Sequence, residues 1–365
     1  MKKLAFIYDC IYPDQLGGAE KRIYSLSHYL KKDFEVHIIG MRKDDQKKNF
    51  IENGIHYHTL NKYSDLYNKE GKRKIFLSIQ FTFSLFFFLL KNDYEIIDTT
   101  ANPYFHIFSI KLISLFKRKM KVFVTWHEYW SIEYWVSYSS TLVGIVGYIL
   151  EILALHFSSN PIAVSNFTKK RIERKIKRKV YLVENGIDKI KVKKENKIYD
   201  LIYTGRIIDF KNIDKILELT KINKKLKIVI VGDGPDLKKY KNKYKNKNIL
   251  FTGFLKNEND IHTYIAQSKI FMMLSSREGF SIATLEAMSI GLPVICFNGK
   301  DNAAIDLIKN YENGILTDLK LKNINNAINI ILKDYNNYSV NAKKDLEKNY
   351  LYKNIYPRYK KIINL

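Results

Sequence analysis

Cysteine is scarce: the 365 residues hold two, Cys10 and Cys296, far apart and each in or beside an apolar run. That excludes a disulfide framework and points to small core residues in a reducing compartment. No stretch reaches the ~18 consecutive apolar residues that a membrane-spanning helix needs. Lys2 and Lys3 precede a short apolar run, but Asp9 interrupts it and no small-residue cleavage site follows. Residues 4–8 therefore read as a first buried strand, not a signal peptide. A G-x-G-x-x-G is missing after that strand, which counts against a nicotinamide cofactor. No D-x-D stands near a strand end, so a metal clamp on a diphosphate is not evident, and no cofactor is expected. Acidic residues are the other shortage, 37 against 62 basic, for a net charge of +25. Such an excess suggests nucleic acid or an anionic membrane. The lysines are scattered through a chain rich in Lys, Asn, Ile and Tyr, so most of the charge is compositional. A basic–aromatic platform of the kind that reads nucleic acid is absent.

What is present suits two α/β domains of ordinary size. Residues 270–297, IFMMLSSREGFSIATLEAMSIGLPVICF, organise the chain. Residues 270–274 predict a buried strand and 275–280 a polar loop. Ser281 predicts a helix cap. The helix is expected to end near Ile290, where Gly291 supports a left-handed stop and Pro293 prevents continuation. Residues 294–297 predict a second strand. A strand–helix–strand unit places the loop at the carboxyl end of the first strand, where open α/β sheets bind ligands. Glu278 and Glu286 lie at that end. Ordinary charge placement near a helix start explains two acids. It leaves Gly279 and the free helix amides unexplained, and these suit a phosphate. A carboxylate accepts two hydrogen bonds, as paired sugar hydroxyls offer. The stretch therefore reads as a cradle for a sugar nucleotide.

EGFSIATLEAM resembles the E-x7-E signature of the family 4 retaining glycosyltransferases (glycosyl transferases group 1). The resemblance implies the GT-B fold, two Rossmann-like doubly wound domains facing across a cleft. It implies donor-sugar contact by Glu278, ribose contact by Glu286, and donor binding by the loop residues Gly279, Phe280 and Ser281. Elsewhere Gly17, Gly18 and Glu20 are similar to the family's Gly-Gly-x-Glu, and His127 to a histidine near the donor sugar. Arg206 and Lys211 match the family's diphosphate-binding pair, where a guanidinium forks onto phosphate oxygens and an ammonium adds a point charge. Gly205, Gly232 in the turn 232–235, and Gly253-Phe254 match further donor contacts. A sugar-nucleotide epimerase of the same GT-B fold is an alternative without a matching acid–base set, and a basic nucleic-acid binder is the alternative from another class.

By the same resemblance, residues 1–188 form the acceptor domain and 189–344 the nucleotide-sugar domain. A helix over about 345–365 returns to the first. Residues 189–197 are polar and charged and read as the linker. The acceptor is expected to be an envelope lipid, polysaccharide or glycan, and the location cytoplasmic, either free or peripheral at the inner face of an anionic membrane. In the first domain, residues 75–90 are very apolar and read as a buried helix, with a membrane-leaning helix as the alternative. Residues 141–157 predict an apolar helix interrupted by Glu151. Lys169, Lys170, Arg171, Arg174, Lys175, Lys177, Arg178 and Lys179 form a dense basic run, either a solvated face or a contact for anionic lipid. Trp126, Tyr129, Trp130, Tyr134 and Trp135 crowd the loop around His127, as sugar platforms or as packing.

Overall fold

The computed structural model describes residues 1–15, 17–43, 47–66, 73–138, 140–193 and 195–364. They fall into two compact units, Met1–Asn185 with Ile355–Leu365, and Gly186–Asn354.

In the first unit the order is β1 (Lys2–Ile7), α1 (Gly18–Leu30), β2 (Phe34–Lys43), β3 (Asn49–Glu52), β4 (Ile55–Tyr63), α2 (Ile75–Lys91), β5 (Ile96–Thr100) and α3 (Phe105–Phe116). β6 (Lys121–Trp126), α4 (Ile132–Tyr138), α5 (Thr141–Phe157), β7 (Asn160–Ala163), α6 (Asn166–Ile176) and β8 (Tyr181–Leu182) follow. The sheet runs β3-β4-β2-β1-β5-β6-β7-β8. Among the described residues of this sheet only the edge pair β3–β4 is antiparallel. The central strands β1, β5 and β6 are buried almost throughout because helices cover them, as parallel sheets require, whereas β3 and β4 at the edge carry polar residues.

The second unit holds β9 (Tyr199–Thr204), α7 (Ile213–Ile222), β10 (Ile228–Val231), α8 (Leu237–Lys243), β11 (Ile249–Gly253), α9 (Glu258–Ala266), β12 (Ser268–Met273) and β13 (Arg277–Glu278). Then come α10 (Ile282–Ile290), β14 (Val294–Phe297), β15 (Asp301–Asn302), β16 (Gly314–Thr317), α11 (Leu321–Lys333) and α12 (Tyr335–Asn349). Its parallel sheet is ordered β11-β10-β9-β12-β14-β16. Counted from β9, this is the doubly wound order 3-2-1-4-5-6, whose winding reverses between β9 and β12.

The stretch 270–297 folds as its residues predict. Ser281 caps α10 by accepting from Thr284 N at 3.2 Å. Gly291 stops the helix with φ 87°.

The structure departs from the sequence expectations in several places. α2 is not a buried helix: Phe81, Leu85 and Leu89 enter the core, while Phe76, Phe83 and Phe87 are at least 60% exposed. Aromatics on both faces hid that split. α5 is continuous through Glu151, because the carboxylate is buried and bonded rather than left in an apolar wall. Residues 189–197 are no free linker. Lys189 pairs with Glu347 at 2.8 Å, and Lys197 Nζ donates to the carbonyls of Ala266 and Ser268, within the second unit. The units divide after Asn185, against an expected 188. Residues 345–354 stay with the second unit. The chain rejoins the first within α13 (Tyr352–Ile363). There Tyr359 donates to Asp98 at 2.6 Å, Lys360 pairs with Asp33 at 2.7 Å and Arg358 with Glu184 at 3.0 Å.

Candidate active site

In the second unit the carboxyl ends of β9 and β12 flank the point where the winding reverses, so their loops open beside each other. The loop after β9 carries Gly205, Arg206 and a short 3-10 turn, Asp209–Lys211. The loop after β12 carries Ser275, Ser276, Arg277 and Glu278. Bonds from Asn212 and Ser276 join them. Asn212, in the left-handed conformation, donates through Nδ2 to Leu274 O and to Ser276 Oγ, both at 2.7 Å. Ser276 N donates to Phe210 O at 2.8 Å.

That brace brings Lys211 Nζ to 2.5 Å from Glu278 Oε1, with both side chains at least 80% shielded from water. The sequence offered both residues as separate donor contacts and gave no sign of their pairing. Nor did it single out Asn212, which positions them. Arg206 is exposed and has no ion-pair partner among the described residues. Gly279, Phe280 and Glu286 are half-buried, the last in the second turn of α10.

The floor is glycine. Gly205, Gly232 and Gly253 all have positive φ, of 142°, 132° and 75°. At Gly232 the need is also steric: a Cβ there would lie 2.0 Å from Gly205 O. The three turns are tied to one another, Gly205 N to Val231 O at 3.0 Å and Gly232 N to Gly253 O at 3.1 Å. Phe254, just beyond, is 64% exposed. Such a loop cluster presents backbone amides, two cations and two carboxylates at one sheet edge. It can hold a phosphate group and hydroxyls.

In the first unit the winding reverses between β1 and β5. Gly17 precedes α1 and Gly18 opens it. A Cβ on Gly17 would meet the Glu20 carboxylate at 2.4 Å, so Glu20 is folded back beneath the helix start. Burial raises its pKa.

His127 follows β6. Burial, with the Arg22 guanidinium adding repulsion, pushes its pKa down to about 3, so the ring is neutral. Its buried Nε2 has no hydrogen-bond partner among the described residues. Arg22 itself donates to Glu184 O at 2.8 Å and Asn185 Oδ1 at 3.1 Å. Among the neighbouring aromatics, Trp126 and Tyr129 are buried, while Trp130 packs on Tyr134 and Trp135 with ring centroids 4.4 and 4.6 Å apart. The aromatic crowd is thus largely packing. Its anchor is Glu151, which accepts from Tyr104 Oη and Trp130 N, each at 2.8 Å, and from Trp135 Nε1 at 3.0 Å. Burial raises Glu151 to about 7.

Two family models account for nearly all of this chain, that for glycosyl transferases group 1 over residues 185–349 and that for glycosyltransferase family 4 over 16–190. The chain belongs to the family 4, group 1 glycosyltransferases. Among curated family relatives, an uncharacterized glycosyltransferase of Haemophilus influenzae is 30% identical over 131 residues, 34% of this chain and 36% of that protein. A UDP-Gal:alpha-D-GlcNAc-diphosphoundecaprenol alpha-1,3-galactosyltransferase of Escherichia coli is 36% identical over 110 residues, 29% of this chain and 27% of that one. The aligned stretches thus span about a third or less of either relative. Solved structures match end to end. Sucrose-phosphate synthase from Thermosynechococcus elongatus has a TM-score of 0.83 at 15% identity, covering 100% of this chain and 98% of its own. Anabaena HepE, solved with UDP and glucose, has 0.76 at 15% identity, covering 100% of both. At that identity the likeness shows the fold, which is GT-B.

Proposed function

We propose that the protein transfers a sugar, with retention, from a nucleotide-diphosphate sugar to a glycan or lipid-linked acceptor. The observation that carries this reading is the braced pair Lys211–Glu278 beside Arg206 where the winding reverses. In the free protein the pair neutralises itself. When donor enters, the ammonium turns from Glu278 to the diphosphate. That frees the carboxylate for hydroxyls of the donor sugar. Arg206 and the amides of the glycine turns complete the positive surround and stabilise the departing diphosphate. Glu286 holds the ribose. Neutral His127 serves as a hydrogen-bonding partner through Nε2, not as an acid. The acceptor attacks on the face from which the leaving group departs, and neither glutamate becomes a covalent nucleophile. Since Arg206 and Lys211 supply the charge, no metal is needed at the diphosphate. The relatives support a nucleoside-diphosphate donor, because HepE is solved with UDP.

The test incubates the full chain with a panel of nucleotide sugars and follows slow donor hydrolysis with and without EDTA. Hydrolysis of one donor that survives EDTA is the expected result. Turnover lost to EDTA and restored by magnesium or manganese overturns the metal-free reading, and no turnover of any donor overturns the donor assignment.

A specific observation also favours an acceptor at an anionic membrane. Among the described residues no helix is long and apolar enough to cross one. Yet α2, α3 and α5, which pack on one core, each leave apolar side chains outside. These include Phe83 and Phe87 on α2, Phe116 on α3, and Leu142 and Val143 on α5. Next to α5, α6 and the residues after it expose Lys170, Arg174, Lys175, Lys177, Arg178 and Lys179. Cations near an anionic leaflet contribute roughly 1 kcal/mol each. Arg178 also donates to Leu155 O and His156 O at the end of α5, so it has a structural task. Neutralising Lys170, Arg174, Lys177 and Lys179 together is therefore expected to release the protein from anionic liposomes at low salt. Wild-type protein that ignores such liposomes makes a soluble acceptor the better reading.

A further inference from the structure

Away from the candidate active site, on the sheet of the first unit, β2 and β4 gather an unusual set of side chains. Glu35 and His37 are alternate residues of β2 and share a face. His56 is the register partner of His37 on β4, and His58 lies two residues further on the same face. One donor atom each from Glu35, His37 and His56 lies within 4.8 Å of the other two. His37 Nε2 is 3.1 Å from Glu35 Oε1. The His37 and His56 rings stack with centroids 4.7 Å apart.

We propose that Glu35, His37 and His56 form a zinc site that fastens the edge hairpin β3–β4 to β2. Two imidazoles and one carboxylate are a recognised three-ligand set for zinc, with water in the fourth position. Ligands at about 2.0–2.2 Å in a tetrahedron stand about 3.4 Å apart. The His37–Glu35 pair already has that spacing, and rotation of the half-buried His56 closes the rest. A ligating histidine is held by a partner at its other nitrogen. Here His37 Nδ1 meets His58 Nε2 at 2.9 Å. Tyr94 stands edge-on to His37 with centroids 5.0 Å apart, and Phe88 lies 5.3 Å from His58, so His37 is buried and His58 half-buried. Lys3 is the competing cation, 3.9 Å from Glu35 and 47% exposed, so an incoming ion can displace it into solvent. Glu35 and His56 each stand second in their strands, at the amino ends, whereas the candidate active-site loops leave the carboxyl ends. The ion is therefore a structural clip with no part in glycosyl transfer.

The experiment strips the full chain with a chelator and titrates Zn2+ by calorimetry, with thermal unfolding in parallel. One ion per chain with Kd below about 10 µM is expected, and a rise in Tm of at least about 3 °C. Glu35→Gln combined with His56→Gln should weaken binding at least 100-fold. His58→Asn, which removes only the positioning bond, should weaken it about tenfold. His156→Gln, at an exposed histidine on α5, should change nothing. Replacing zinc with Co2+ should give a visible absorption band that Glu35→Gln alone diminishes, a readout independent of how well the double variant folds. Absence of binding up to 100 µM, or equal binding by wild type and the Glu35→Gln/His56→Gln variant, overturns the proposal.

Discussion

The two units solve the same folding problem and treat polar groups differently. In the second, the polar groups with a proposed chemical role sit in short loops at strand ends, over glycine turns, apart from Glu286 on α10. Two of its residues, Lys211 and Glu278, meet across a single brace. In the first, polar groups are drawn into the interior. Glu151 is wholly buried among Tyr104, Trp130 and Trp135. Asp98 is buried against Thr125 and Tyr359. Its helices α2 and α5 meanwhile leave apolar side chains outside. The shape of each loop follows local turn chemistry, while the pairing of Lys211 with Glu278 needs β9 and β12 side by side. An interior polar network depends on every partner being in place, since a buried polar group left unpaired is costly.

The largest effect expected is at Gly232. A Cβ would strike Gly205 O, and φ is 132°, so Gly232→Ala should destabilise the second unit by about 3 kcal/mol. All three tryptophans lie in the first unit, at 126, 130 and 135. Chemical unfolding followed by circular dichroism should therefore shift, while the tryptophan transition stays. If both shift together, the two units unfold as one and the contrast fails.

Next is the pH dependence of the first unit. Glu151 is near 7 folded and about 4.5 unfolded, by burial. Below 4.5 both states hold the proton, and above 7 neither does. In between the unfolded chain releases it first, so stability falls as pH rises. The loss on account of Glu151 should approach ~3 kcal/mol by pH 7.5. Urea unfolding by tryptophan fluorescence at pH 5 and 7.5 measures it, and Glu151→Gln should flatten the slope. An unchanged slope would place the titrating group elsewhere.

Third, Arg206→Ala and Lys211→Ala should each weaken nucleoside-diphosphate binding. A charged hydrogen-bond partner is worth ~1.5–3 kcal/mol, or about 10- to 150-fold. Calorimetry with UDP decides it, and unchanged affinity in both variants would sink the assignment. Glu286→Gln should weaken binding of bare nucleotide as well.

The smallest effect separates the two glutamates. Glu278→Gln removes the partner that Lys211 must leave. Affinity for bare nucleotide should hold or rise a few fold, while turnover of the full donor falls. Equal losses of nucleotide affinity in Glu278→Gln and Glu286→Gln would end the division of roles.

Much of the second unit was legible because its signals are local. Ser281, Gly291 and Pro293 mark the bounds of α10 by capping and backbone restriction alone. The first unit was read less well. The hairpin β3–β4 and helix α3 went unassigned, since short mixed runs carry no clear period. At α2, aromatics on both faces masked which side is buried. Glu151 looked like an interruption because a sequence does not reveal that three donors converge on it.

By itself the sequence determined the alternation of strands and helices, the glycine turns and the chemical types gathered at each strand end. These follow from backbone sterics and short-range periodicity. The tertiary structure alone decided which of those groups meet. It set Lys211 against Glu278, buried Glu151 under the tryptophans, left His127 neutral, and brought Glu35, His37 and His56 to one face. Such meetings depend on sheet order and register, through residues as far apart in the chain as Asp98 and Tyr359. Burial then sets the charge each group carries, because desolvation acts on the environment and not on the residue type.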